Sequence, residues 1–371
     1  MLGEKAITNF EKQNEPKHLN GGYCSNVFDP RTAEHYFVIN PRSFQRKTDM
    51  DAAINGIDSV FRELIDEVGD IKYHIHISRY PRDAIGAVNR YARSMPAGRT
   101  IRVYAVGGDG ILFDCLNSII GLRGSELAVI PYGYENEYIR AFGDGAEELF
   151  RDIKAQVVSG SIPTDVIYCD GNYALNCCTV GLESYSIVRR AEYIRRSKRL
   201  LNVFKALYKR VDGFSSFFSA LYAGHNQSYN IITGINDRLD GVYTSIHIAN
   251  GPCYRDTPVP MDDSAPDDGQ LELAMGYARS TFARARLLKD IGFCRYQGKR
   301  INCIAGSVQH KRVKELKISS TEPMVINLDG EIFYDTSINI KVIPEGARII
   351  APNGARYRRS SMNDRQVATG N

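Results

Sequence analysis

Apolar residues in the first 165 positions fall into short runs that alternate with stretches of helical spacing. His35–Ile39 reads as a strand ending at Asn40-Pro41-Arg42-Ser43, followed by a helix through Ile54, Ile57, Val60, Phe61 and Ile65 that closes at Gly69. Tyr73–Ile77 reads as the next strand and about 83–94 as the next helix. Ile101–Val106 is then a strand, Ile111, Leu112, Leu116, Ile119 and Ile120 mark a helix, and Leu127–Pro131 is a further strand. Strands alternating with helices predict an α/β domain with a mainly parallel, doubly wound sheet.

From about residue 165 the rhythm changes to short apolar or alternating runs separated by turns. Val166–Tyr168, Tyr173–Asn176, Ser228–Thr233, Gly241–Ala249, Leu271–Met275, Glu315–Ser319, Met324–Asn327 and Ile338–Val342 predict a second, antiparallel β-rich domain. A helical stretch at about 183–222 interrupts it. The expected organisation is an N-terminal extension (1–34), an α/β domain (35–164, with 343–355 returning to it), a β-rich domain (165–342) and a flexible basic tail (356–371).

Composition narrows the classes. Of 371 residues, 43% are hydrophobic and 24% charged, so the chain can bury a core and intrinsic disorder is excluded. No apolar run approaches the roughly 18–20 uncharged residues of a spanning helix. The first 30 residues lack the apolar stretch of a secretory signal. The eight cysteines form no C-x-x-C pair, which argues against structural zinc and for free thiols in a cytoplasmic protein.

The net charge of +4 conceals a local concentration. Residues 189–210 hold nine cations and one acid, Glu192, with Leu200, Leu201, Phe204, Leu207 and Tyr208 at helical spacing and aromatics following to Tyr222. Such a segment suits an anionic membrane surface, giving peripheral association, or equally a solvated helix packed on the second domain. Nucleic acid is not expected, since no reader motif accompanies the charge.

Gly107-Gly108-Asp109-Gly110 stands where a buried strand meets a helix start. Glycines there allow close backbone approach, helix-start amides attract phosphate, and Asp109 could hold Mg²⁺ or its water. An ordinary glycine turn is the other reading. His74 and His76 share one strand face without a third ligand and read as structural. Asn117 is as suited to capping or packing as to binding.

The glycine motif resembles the nucleotide loop of the diacylglycerol kinase catalytic-domain family, which includes bacterial lipid kinases and sphingosine kinases, and other segments extend the likeness in family order across roughly 35–352. Asn40-Pro41-Arg42-Ser43, with Lys47 after it, resembles N-P-x-S-G. Pro131–Arg140 resembles P-x-G-T-x-N-D-F-A-R, and Tyr173–Asn176 with Gly181 resembles F-x-N…G-F. Asp267–Leu271 resembles D-D-G-x-L, and Asp329-Gly330-Glu331 resembles D-G-E.

The resemblance implies a two-domain lipid kinase, its second domain sandwich-like, that uses ATP and Mg²⁺. Asn40, Ser43, Lys47, Ser78, Gly107, Gly108, Asp109, Gly110, Ile111, Gly133, Tyr134 and Asn136 would serve the nucleotide. Asp268, with the carbonyls of Ala265 and Gln270, would hold a structural Mg²⁺, and Asp109 would be a further metal ligand; a turn with solvated carboxylates is the other reading of Asp267-Asp268-Gly269. Glu331 would accept the proton of the lipid hydroxyl, with Asp329 nearby and Asp109 organising the phosphates. Two apart on a strand, Asp329 and Glu331 are expected to share one face; a plain hairpin turn is the alternative.

Three departures fall on the nucleotide side: Phe44 replaces the family glycine, Ile111 the threonine after G-G-D-G, and in the G-T-x-N-D stretch Tyr134 puts a bulky phenol in place of the threonine while Glu135 adds an acid. The expected function is transfer of the γ-phosphoryl of ATP to the hydroxyl of a membrane lipid, diacylglycerol or sphingoid-like, in phospholipid biosynthesis or related lipid metabolism. The alternative is a catalytically silent lipid- or nucleotide-binding regulator of the same fold. A homodimer is compatible with the sequence.

Overall fold

The computed structural model describes residues 27–96, 98–133, 136–143, 145–197, 226–234, 237–251, 265–284, 287 and 308–357. Tyr134 and Glu135, most of the N-terminal extension, the basic stretch from 198 to 222 and the tail beyond 357 lie outside the described residues; of 190–197 only the helical backbone is described. The chain divides into two compact units. The first holds the described residues up to Val166, Ala265–Asp267 and those from Pro344 onward; the second holds those from Ile167 to Gly251 and Asp268–Ile343.

The first unit is the doubly wound α/β domain that the alternation predicts. Strands β1 (Ala33–Ile39), β2 (Lys72–Ile77), β3 (Thr100–Gly107) and β4 (Ser125–Pro131) form a parallel sheet in the order β2-β1-β3-β4, and Ile349 pairs with Leu127 beyond β4. Helices α1 (Lys47–Val68), α2 (Asp83–Ser94) and α3 (Asp109–Ile119) are its crossovers. The short helices α4 (Ala146–Arg151) and α5 (Ile153–Val158) follow β4. α1 buries Ala53, Ile57, Phe61 and Leu64, a stripe with the three- and four-residue spacing of one helix face, against Phe37, Ile39, Tyr104, Val106 and Ile130.

Parallel strands are buried on both faces, and β1 is buried at every position. Its two polar side chains are therefore paired. Glu34 accepts from the Tyr91 hydroxyl and faces Arg99 at 3.2 Å. His35 hydrogen-bonds to the Tyr104 hydroxyl and the Pro30 carbonyl, both at 2.8 Å.

In the second unit, β7 (Cys177–Gly181), β8 (Gln227–Ile232), β9 (Gly241–Tyr243), β10 (Ser245–Ala249), β11 (Leu271–Gly276), β12 (Val308–Val313) and β13 (Glu315–Leu328) pair antiparallel, as do β13 and the first part of β14 (Glu331–Ile350). The last three residues of β5 (Ser161–Cys169), from Ile167 on, pair antiparallel with β6 (Asn172–Ala174). Helix α6 (Leu182–Ser197) follows β7 directly and carries the start of the basic stretch. Among the described residues no helix is long and apolar enough to cross a membrane.

Candidate functional site

Three of the sequence motifs meet at the carboxyl ends of β1, β3 and β4, where open α/β sheets place their ligands. Asn40 donates its N–H to the Val106 carbonyl at 3.1 Å, laying the end of β1 beside the end of β3. Its carboxamide oxygen accepts from Arg42 N–H at 3.0 Å, and its carbonyl from Ser43 N–H at 3.1 Å, which fixes the Asn-Pro-Arg-Ser turn. A Cβ on Gly107 would stand 2.7 Å from Ser43 Oγ and 2.8 Å from the Ile111 side chain. Only glycine lets these two loops close.

The loop after β4 is held in the same way. Tyr132 and Gly133 both donate N–H groups to the Gly107 carbonyl, at 3.0 and 3.1 Å. A Cβ on Gly133 would reach to 2.3 Å from Gly108 Cα, so the two loops pack backbone against backbone. Asp109, at the first position of α3, accepts the Glu137 N–H at 2.9 Å and ties down the far side of the loop. Asn136, in left-handed conformation, donates to the Gly133 carbonyl and to Glu147, whose partner Arg151 donates to the Pro131 carbonyl. Glu147 and Arg151 lie four apart on α4 in no motif, and sequence reasoning missed them.

The first-turn amides of α3 have no intrahelical acceptor, so the site presents N–H groups and the positive end of a helix beside a carboxylate. That is chemistry suited to a phosphate with its cation. The Ile111 side chain is 3% exposed and packs beneath Gly107, which leaves its backbone to face a ligand. Phe44 does not stand free in the loop. Its ring lies tilted against Tyr132, centroids 4.8 Å apart, and packs against the core. Ser78 donates its N–H to the Ile39 carbonyl and its hydroxyl to the Tyr80 carbonyl. Lys47 is exposed at the start of α1.

In the second unit the Asp-Gly-Glu motif is a tight hairpin. Leu328 pairs with Glu331, and Asp329 (φ 47°) and Gly330 (φ 94°) are the two corners of a turn with positive φ at both, the geometry that Asp-Gly favours. The expectation that Asp329 and Glu331 share a strand face is therefore corrected: Asp329 is in the turn, where strand alternation does not apply. Its buried carboxylate accepts the N–H groups of Leu175 at 2.6 Å, Asn176 at 3.1 Å and Cys177 at 2.8 Å, from the segment picked out as F-x-N-like. Glu331 opens β14 and is half-buried.

Asp268 accepts the Gln270 N–H at 2.9 Å and lies 3.4 Å from Arg312, which also pairs with buried Glu272. The carboxylate and the carbonyl of Gln270 are the hard oxygen donors Mg²⁺ takes. Ala265 is buried in the first unit. Among the described residues no three His, Cys, Asp or Glu side chains cluster as a metal site.

Comparison with known proteins agrees with this geometry. Residues 35–169 match the family model of the diacylglycerol kinase catalytic domain, which covers the three converging loops. Candidate lipid kinases of Staphylococcus aureus strains JH9 and Newman are each 25% identical over 254 residues, 68% of this chain and 77% of theirs. Two crystal structures from Bacillus anthracis strain Sterne share the fold. A diacylglycerol kinase superposes with TM-score 0.61 at 17% identity, covering 88% of this chain and 98% of its own. A candidate diacylglycerol kinase does so with TM-score 0.65 at 19%, covering 90% and 100%. The resemblance carried by the motifs thus holds, and the chain is similar to lipid kinases of the diacylglycerol kinase family.

Proposed function

We propose that the protein is an ATP-dependent lipid kinase that transfers the γ-phosphoryl group to the hydroxyl of a membrane lipid, diacylglycerol or sphingoid-like. The convergence of Asn40–Ser43 and Gly107–Asp109 with Gly133 and Asn136 carries the reading, because loops packed to glycine contact at a helix start suit a polyphosphate. The nucleotide is held by backbone amides of these loops, and Asp109 holds the Glu137 N–H in place. Mg²⁺, when bound, neutralises charge on the phosphates; Asp109 would hold it there, and Asp268 with the Gln270 carbonyl a structural ion.

In the reaction Glu331 takes the proton from the lipid hydroxyl. The hydroxyl oxygen forms the new bond to the γ-phosphorus, the bond from that phosphorus to the β–γ bridging oxygen breaks, and ADP leaves with that electron pair. The reading assigns the basic stretch 189–222 to an anionic membrane surface from which the acceptor is drawn, each cation contributing about 1 kcal/mol near the headgroups. Thermal-shift titration with Mg-ATP, followed by transfer of labelled phosphate to a lipid extract, tests it. A rise in melting temperature without transfer to any lipid would favour the silent regulator instead.

A further inference from the structure

The turn that carries Glu331 is held at both corners. Asp329 fixes the first. The second is fixed by Asn327, fully buried two residues before Asp329 in an otherwise apolar run, whose carboxamide oxygen accepts the Gly330 N–H at 2.9 Å. The same carboxamide donates to Thr179 Oγ1 at 3.3 Å, and Thr179 lies directly across from Asn327 in the β7–β13 register. The orientation of the carboxamide follows from its partners, since an amide N–H can be satisfied only by the oxygen.

The chain of hydrogen bonds continues. Thr179 Oγ1 is 2.9 Å from Ser184 Oγ, and Ser184 donates to the Thr179 carbonyl at 2.8 Å. Both side chains are fully buried. Ser184 belongs to the first turn of α6, and its neighbour Glu183 is itself buried and paired with His247 at 3.1 Å, which in turn contacts Ser245 Oγ at 2.9 Å. The first turn of α6 is thus pinned to β7 and β10 by two adjacent polar arms, and one of them leads to Gly330.

A buried chain of neutral hydrogen bonds adds little net stability over an apolar replacement of similar shape, whereas it fixes one geometry and excludes neighbouring ones. We infer that Asn327, Thr179 and Ser184 are positioning residues for Glu331. They anchor its turn to the start of α6, so that the carboxylate is presented in one orientation to the acceptor hydroxyl. The inference rests on the lipid-kinase reading. It also couples that turn to the helix from which the basic stretch begins.

The test uses the full chain, with diacylglycerol and sphingosine offered separately in vesicles containing anionic phospholipid. Thr179→Val should lower kcat about tenfold with the KM for ATP unchanged, the pattern of a misplaced reacting group. Thr179→Ser, which keeps the hydroxyl, should restore the wild-type rate. Ser184→Ala, a milder change one bond further out, should lower kcat in the same direction by less. Hydrogen exchange at the Gly330 amide should quicken in Thr179→Val, while the Cys177 amide held by Asp329 stays protected. An unchanged kcat with faster Gly330 exchange would overturn the positioning role and leave the kinase reading intact. So would a fall in kcat matched by lost ATP affinity and a lower melting temperature in both Thr179→Val and Ser184→Ala. Absence of turnover by the wild-type protein on both lipids would overturn the kinase reading, and the positioning role with it.

Discussion

Gly108 and Gly133 touch backbone to backbone, so closely that a methyl group on Gly133 would stand 2.3 Å from Gly108 Cα. The contact joins two loops that come from different strands and lie 25 residues apart in the sequence. Gly133→Ala must push them apart. We expect it to cost about 1–3 kcal/mol, as overpacking does, and to abolish the melting-temperature rise with Mg-ATP. An alanine variant with the wild-type ATP response would show that the contact does not shape the nucleotide site.

Asp329 and Glu331 should respond differently to loss of charge. Asp329→Asn puts an amide among three backbone donors, so we expect a loss of about 1.5–3 kcal/mol, the scale of hydrogen bonds to a charged group. Chemical denaturation measures it. Lost activity in that variant would therefore report a loosened fold before it reported any chemistry.

His35 sets an acid limit on the first unit. Burial holds its imidazole neutral, lowering its pKa to about 3 from the ordinary 6.5, while it accepts from Tyr104 and donates to Pro30. The unfolded chain binds a proton below pH 6.5 that the folded one refuses. The stabilisation is complete above pH 6.5 and falls as the pH drops from there toward 3, amounting to about 2 kcal/mol lost at pH 5. His35→Gln should flatten the unfolding free energy between pH 7 and 5 by that amount relative to wild type.

The parallel sheet was legible because each strand and helix of the first unit carries its own period and its own breaker. Asn40-Pro41, Gly69 and Gly107-Gly108 stop elements where the pattern says they stop. Asn40, Gly107, Asp109 and Gly133 could be picked out since their chemistry depends on residue type at fixed spacing. Asn327, Thr179 and Ser184 could not, because what matters in them is register between β7 and β13, a relation no local window contains. The misplacement of Asp329 has a similar source. Alternation applies along a strand, and the Asp-Gly pair breaks the strand at that point.

Phe44 replaces a family glycine yet leaves the loop intact, because the ring lies on Tyr132 and the core. Phe44→Ala should therefore lower stability without impairing the Mg-ATP thermal shift. A stronger shift in the variant would mean that the ring narrows the nucleotide site.

If Glu331 is the base that deprotonates a lipid hydroxyl for attack on ATP, its carboxylate is needed for transfer and not for folding or nucleotide binding. Transfer of labelled γ-phosphate to diacylglycerol and sphingosine, measured side by side for the wild-type protein and Glu331→Gln, tests it most directly. The wild type should transfer phosphate to one of these lipids. In Glu331→Gln the rate should be lower by about two to four orders of magnitude, the range for loss of a general base, with melting temperature and Mg-ATP response unchanged. Equal transfer by the two proteins, or none by either, would contradict that role.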